Sequence, residues 1–157
     1  MANLINLDKV KASVTIFDIV APASYANGYL ATLSTINTDG TYDCAAPGAI
    51  TDLGMVVVLA VPLSYEAQYV ENDYVIATGE IVRGYVPYSG MVFAVPAANV
   101  TAGVALAAGK YVIPVAGAGK MTSADALDKT EAVAFIITKL YTKSGVSMVE
   151  LRCIKAL

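Results

Sequence analysis

Few residues in this chain could do chemistry, and their spacing works against most reactions. There is no histidine among the 157 residues. That removes Ser–His–Asp and Cys–His nucleophile systems and every His-ligated metal site. Cys44 and Cys153 are the only cysteines, and two thiols cannot build a structural zinc site by themselves. In a chain of this length without an export segment they read as two buried thiols, not as a bridge. Gly117-Ala118-Gly119-Lys120 brings a phosphate loop to mind, but such a loop needs glycine at 114 and Ser or Thr at 121, where Pro114 and Met121 stand. Strands are expected on both flanks, with no helix N-terminus to face a phosphate, so the segment reads as a glycine hairpin turn.

The carboxylates give no stronger signal. Asp125 and Asp128 flank a turn and Glu131 follows. A calcium loop needs a denser array of oxygens and a glycine at its bend, so this reads as a solvated acidic turn. Acid–base work needs two carboxylates brought together, and nothing places Asp18 beside Asp43; Asp18 reads as a residue at a strand end or ladder edge. Asn99-Val100-Thr101 matches a glycosylation acceptor, a three-residue pattern read here as chance in a chain with no export signal. The expectation is a structural or binding module and not an enzyme, with no catalytic residue, no metal site and no cofactor.

Composition narrows the partners. The chain is 57% hydrophobic and 15% charged, against roughly a quarter charged in ordinary globular proteins. So few charges suggest a surface partly covered by a partner or by further copies. The net charge is −3, and the ten basic residues are scattered with no stripe or tail, which argues against nucleic acid. Mean hydropathy is +0.61. Yet the longest apolar run, 55–61, stops at Pro62, far short of the roughly 20 residues that a spanning helix needs. Residues 1–11 carry Asp8 and two lysines and no apolar leader core, so the expectation is a product made in the cytoplasm, without membrane or small-molecule partner.

The elements that must position these residues are short strands. Val, Ile, Thr and Tyr are abundant, and Gly or Pro punctuates about every ten residues. Strands are predicted over 13–21, 29–36, 41–45, 54–61, 74–77, 80–85, 91–95, 111–115, 120–122, 132–142 and 146–154. Asn37-Thr38-Asp39-Gly40 and Lys143-Ser144-Gly145 are hairpin turns. The unbroken apolar run from Met55 to Leu59 predicts a strand buried on both faces. In the closing hairpin Phe135, Ile137 and Lys139 should share one face, and Ile136, Thr138 and Leu140 the other. The best helix candidate is 64–71, with Tyr65 and Tyr69 four apart and Ser64 as a cap. Residues 97–109, rich in alanine, read as a loop with weak strand or helix character, and 123–130 as a polar surface turn or one helical turn. The fold class is all-β: one compact β-barrel or β-sandwich over 13–157, at most one or two short helices, and an N-terminal arm over 1–12.

Two segments are candidates for a partner interface. Asn3, Leu4, Ile5, Asn6 and Leu7 alternate and suit an edge strand added to a neighbouring chain, although a first strand of their own sheet or a disordered end fits equally. Tyr85, Val86, Pro87 and Tyr88 read as an exposed aromatic knuckle. The ten tyrosines suit interface patches and equally suit strands at the rim of a core.

The stretch Gly90-Met91-Val92-Phe93-Ala94-Val95, followed by Gly109-Lys110-Tyr111-Val112-Ile113-Pro114-Val115-Ala116-Gly117-Ala118-Gly119 and the hairpin over 132–154, resembles the capsid decoration (cement) proteins of tailed bacteriophages. The likeness covers about the last seventy residues, counted from Pro87, and lies in texture, without a diagnostic motif. It implies a virion structural protein on the outer surface of the mature capsid. Its partner would be the major capsid protein, with self-association as a second option, and 1–11 would lie on the coat. Tail-tube or head–tail joining subunits are the alternative, and a carbohydrate-binding or adhesin module is a further one, against which the absence of Trp counts modestly.

Overall fold

The computed structural model describes residues 15–59 and 75–156. The N-terminal arm, with Asn3 to Leu7, and the helix expected over 64–71 lie outside the described residues.

The fold is organised around a strand with no polar face. Met55–Leu59 forms β4. Val56, Val57 and Val58 are fully buried and Met55 nearly so. Side chains alternate along a strand, so this run feeds two cores at once. Met55 and Val57 join a cluster with Leu30, Phe93, Val95, Val112 and Phe135. Val56 and Val58 join Ile19, Tyr25, Ala31, Cys44 and Val82. Burying each valine contributes about 1.5–3 kcal/mol.

The second cluster fills a closed five-stranded barrel of order β1-β3-β2-β4-β5. Its other strands are β1 (Ile16–Val20), β2 (Leu30–Ile36), β3 (Tyr42–Ala45) and β5 (Ile81–Tyr85). β1 runs parallel to β3 and antiparallel to β5, and that last pair closes the ring. So few strands enclose little space, and small residues supply the room. A methyl group on Gly84 would lie 2.8 Å from Val56 Cγ2 and 3.2 Å from Ile19 Cγ2.

The first cluster lies between the barrel wall and a six-stranded sheet of order β6-β11-β10-β8-β9-β7. These strands are β6 (Val92–Pro96), β7 (Val100–Thr101), β8 (Tyr111–Pro114), β9 (Met121–Ala124), β10 (Val133–Lys143) and β11 (Val146–Ala156). Among the described residues the single helical turn is the 3-10 segment Ala97–Asn99. Phe93 and Phe135 meet edge to face at 5.4 Å in this core, a geometry that aromatic quadrupoles favour. The β8–β9 turn docks on the barrel: Leu30 N–H donates to Gly119 O at 2.7 Å, and Gly117 N–H donates to Pro47 O at 2.7 Å. A methyl group on Gly119 would sit 2.9 Å from Tyr25 Cζ, so the glycine is required by close approach.

Several expectations change. Of the strand expected over 74–77, the described residues 75–77 form only an isolated bridge, Ile76 with Tyr25. Asp18 stands in the middle of β1, exposed and in register with Arg83, not at a strand end but at the edge of the β1–β3 ladder, which takes only Ile19 and Val20; the inward residues are its neighbours Phe17 and Ile19. Ser123 belongs to β9, because its hydroxyl bonds both the N–H (3.0 Å) and the C=O (2.6 Å) of Val104 and so holds the strand against the loop. In β10 the strict alternation fails at Thr138. Ile137 pairs with Leu151 and Lys139 with Glu150, which leaves Thr138 as an extra residue. The bulge shifts the facing of everything beyond it, so Phe135 and Ile137 are buried while Lys139 is exposed. The β10–β11 turn has Ser144 at φ 50° and Gly145 at φ 78°, as a two-residue hairpin of type I′ needs.

Gly84→Ala is expected to destabilise the protein by about 1–3 kcal/mol through overpacking, read as a lower urea midpoint. Met55→Ala and Val56→Ala empty different cores and are each expected to cost about 1–5 kcal/mol. Both should keep one unfolding transition when followed by tyrosine fluorescence and by far-UV circular dichroism. Two separated transitions would show that β4 does not couple the two cores.

Candidate partner-binding surface

The knuckle expected at Tyr85 to Tyr88 is not exposed. Tyr85 is 9% exposed and packs in the core between barrel and sheet. Pro87 is buried, Val86 packs against the barrel core and Tyr88 against the other. The segment is the seam by which the chain leaves the barrel at β5 and enters the sheet at β6, and both cores close over it. Met91 N–H donates to Tyr88 O at 2.9 Å and fixes the turn there.

Tyrosines elsewhere follow the same rule. None of the seven described tyrosines is exposed; Tyr42, Tyr85, Tyr111 and Tyr141 are strand residues, Tyr25 makes an isolated bridge to Ile76, and Tyr29 and Tyr88 lie outside strands. Tyr25 and Tyr29 meet edge to face at 5.5 Å. Burial, with smaller contributions from Cys44 and Tyr29, pushes the Tyr25 hydroxyl up to about 12.

Most of the polar groups singled out from the sequence serve the fold. Glu131 is fully buried, which corrects the solvated acidic turn: its Oε1 accepts from Asp128 N–H at 2.8 Å and closes the loop before β10. Asp125 pairs with Lys110 at the surface. Asn99 is buried and its Nδ2 donates to Asn27 O at 3.2 Å, so its amide is not presented for modification. Among the described residues no three of His, Cys, Asp and Glu come together in a group that could hold a metal ion. No helix among them is long and apolar enough to cross a membrane.

Both thiols are buried and free. Cys44 Sγ donates to Val20 O at 3.0 Å, and burial, then the charge of Asp43, pushes its thiol up to about 11. Burial likewise pushes Cys153 up to about 11.

What the sequence did not announce is an arm. β11 pairs with β6 from Arg152 only as far as Met148. β10 pairs with β8 at Phe135 and Ile136, and its last bonds on that side join Ile137 to Gly109 and Lys110, each at 2.8 Å. Beyond these points the hairpin continues as a two-stranded arm. Among the described residues no backbone hydrogen bond ties 139–143 to a strand on the side away from β11. Leu140 is 47% exposed on this arm. Lys139 Nζ lies 5.0 Å from the centroid of the Tyr141 ring and 3.6 Å from Glu150 Oε2. Ala97 and Leu106, with Leu140, Tyr141, Thr142, Ser147 and Met148 of the hairpin, border a groove of about 360 Å³ at the arm's base. The signal was present in strand lengths: two eleven-residue strands beside neighbours of four or five residues must overhang.

Among the described residues the features open to a partner include the edge of the β10 arm, the groove at its base and exposed lysines. No protein-family model matches the chain, and comparison with curated proteins and with solved structures likewise gives no match.

The thiols give the pH prediction. An acid whose folded pKa is raised binds its proton more tightly in the native state, so its contribution to stability is complete below the unfolded value and falls as pH rises towards the folded one. With thiols moving from 9.0 to about 11, stability should decline across about pH 9–11. Cys44→Ala, which has nothing to titrate there, should show a shallower decline in denaturant midpoint. Native protein at pH 8 should resist a thiol reagent and release two equivalents on unfolding.

Proposed function

We propose that the chain is a virion structural protein that decorates the outer surface of a mature phage capsid and stabilises contacts between major coat subunits. One observation carries the reading. Every strand of the six-stranded sheet follows Pro87, so the portion that resembles capsid decoration proteins is one structural layer, complete with its projecting hairpin. The barrel before it packs on that layer through the core that Met55 and Val57 share.

The mechanism is physical. A protein that binds only the expanded lattice stabilises it by mass action. Repetition of the site over a shell adds avidity without new contacts. Such a task needs a stiff scaffold and an adhesive surface, and the polar side chains described above are engaged in holding loops and strands together. The carbohydrate-binding alternative is disfavoured, because the exposed aromatic platform it would use is missing among the described residues.

Quantitative mass spectrometry of gradient-purified particles from the source lysate tests the proposal. Copy numbers comparable with the major coat protein are expected. A few copies per particle would transfer the role to a tail or head–tail joining subunit, and absence from particles would remove the virion reading altogether.

A further inference from the structure

We propose that the free edge of β10 at Leu140 and Thr142 is a strand-docking site that takes an extended, acidic segment of a partner protein. This assignment does not rest on the capsid reading.

The register identifies the open groups. Lys143 and Val146 flank a two-residue turn, so they exchange hydrogen bonds with each other. Every second pair does the same, which includes Tyr141 with Met148 and Lys139 with Glu150. The N–H and C=O groups of Leu140 and Thr142 therefore aim away from β11. Among the described residues no backbone hydrogen bond takes them up. An unpaired edge of this kind is a template for one more strand.

Side chains set the chemistry of the incoming strand. Lys139, Tyr141 and Lys143 lie on one face of β10, and Leu140 and Thr142 on the other; the groove is bordered from both faces, by Tyr141 as well as by Leu140 and Thr142. Lys139 keeps 55% of its side chain exposed, and Lys143 is exposed. A docking strand is directly beside these residues on each face. It therefore matches the edge with acidic residues four apart and aliphatic residues between them, turned to the groove. In one register the same charges work against a second copy. In the symmetric pairing that satisfies Leu140 with Thr142 of the other chain, Lys139 lies opposite Lys143, and like charges directly opposite destabilise a sheet.

The test uses the full chain labelled with nitrogen-15 and three blocked pentapeptides: Glu-Val-Thr-Val-Glu, its Gln-Val-Thr-Val-Gln counterpart and its Lys-Val-Thr-Val-Lys counterpart. The expected result is saturable shifts of the Leu140 and Thr142 amides at millimolar peptide. The acidic peptide should bind several-fold tighter than the glutamine one, and the lysine one weakest. Thr142→Pro removes an outward N–H at an edge position, where proline is tolerated, and should abolish the response. The double variant Lys139→Gln, Lys143→Gln, which leaves the backbone edge intact, should keep binding but lose the preference for acid. No saturable shift at these amides, or equal binding of all three peptides, would overturn the proposal. Concentration-dependent shifts of the same amides without peptide would overturn it in favour of self-pairing.

Discussion

The structure depends on one strand that has no solvent face. β4 supplies Met55 and Val57 to the core under the six-stranded sheet and Val56 and Val58 to the barrel interior. A strand in the usual half-buried position would alternate apolar and polar residues, and its polar face would then stand in one of the two cores. Each buried polar group without a partner costs about 1–3 kcal/mol, so a polar residue here would weaken the packing of one layer on the other. The same constraint explains Gly84 on the neighbouring strand. Val56 and Ile19 already fill the barrel at that level, and only a residue without a side chain fits between them.

The polar residues that drew attention in the sequence are used to close this structure. Glu131 holds the loop before β10, Asn99 ties the 3-10 turn to the turn before β2, and Ser123 binds the loop at Val104 through both backbone groups. Pairing is incomplete: Glu131 Oε2 and the Tyr25 and Tyr141 hydroxyls are buried with no hydrogen-bond partner among the described residues, each a cost to the fold. The features open to a partner among the described residues include a hairpin that overhangs its sheet, an edge with unused main-chain groups, and a groove beside it. Recognition by such features works through main-chain pairing and shape.

Much of the fold was legible in the sequence wherever one local rule acted alone. The apolar run at 55–59 announced a strand buried on both faces, Asp39-Gly40 and Ser144-Gly145 announced their turns, and the Ala116 to Gly119 turn fell where expected. Legibility ended where long-range contacts decide. The bulge at Thr138 depends on which residue of β11 stands opposite. The burial of Tyr85 and Pro87 depends on two cores meeting at a seam that no local pattern reveals. Glu131 looked solvated because it follows Asp125 and Asp128, yet its carboxylate turns inward to cap the loop. The docking edge was hidden for a related reason, since an overhang belongs to neighbouring strands as much as to the hairpin itself.

On the function proposed above, the chain would bind an expanded lattice selectively and thereby stabilise it. The most direct measurement is the disruption temperature of expanded and unexpanded coat shells from the same source, each with and without saturating amounts of the purified chain. A rise for expanded shells alone is expected. An unchanged disruption temperature for expanded shells, or an equal rise for both forms, would contradict it.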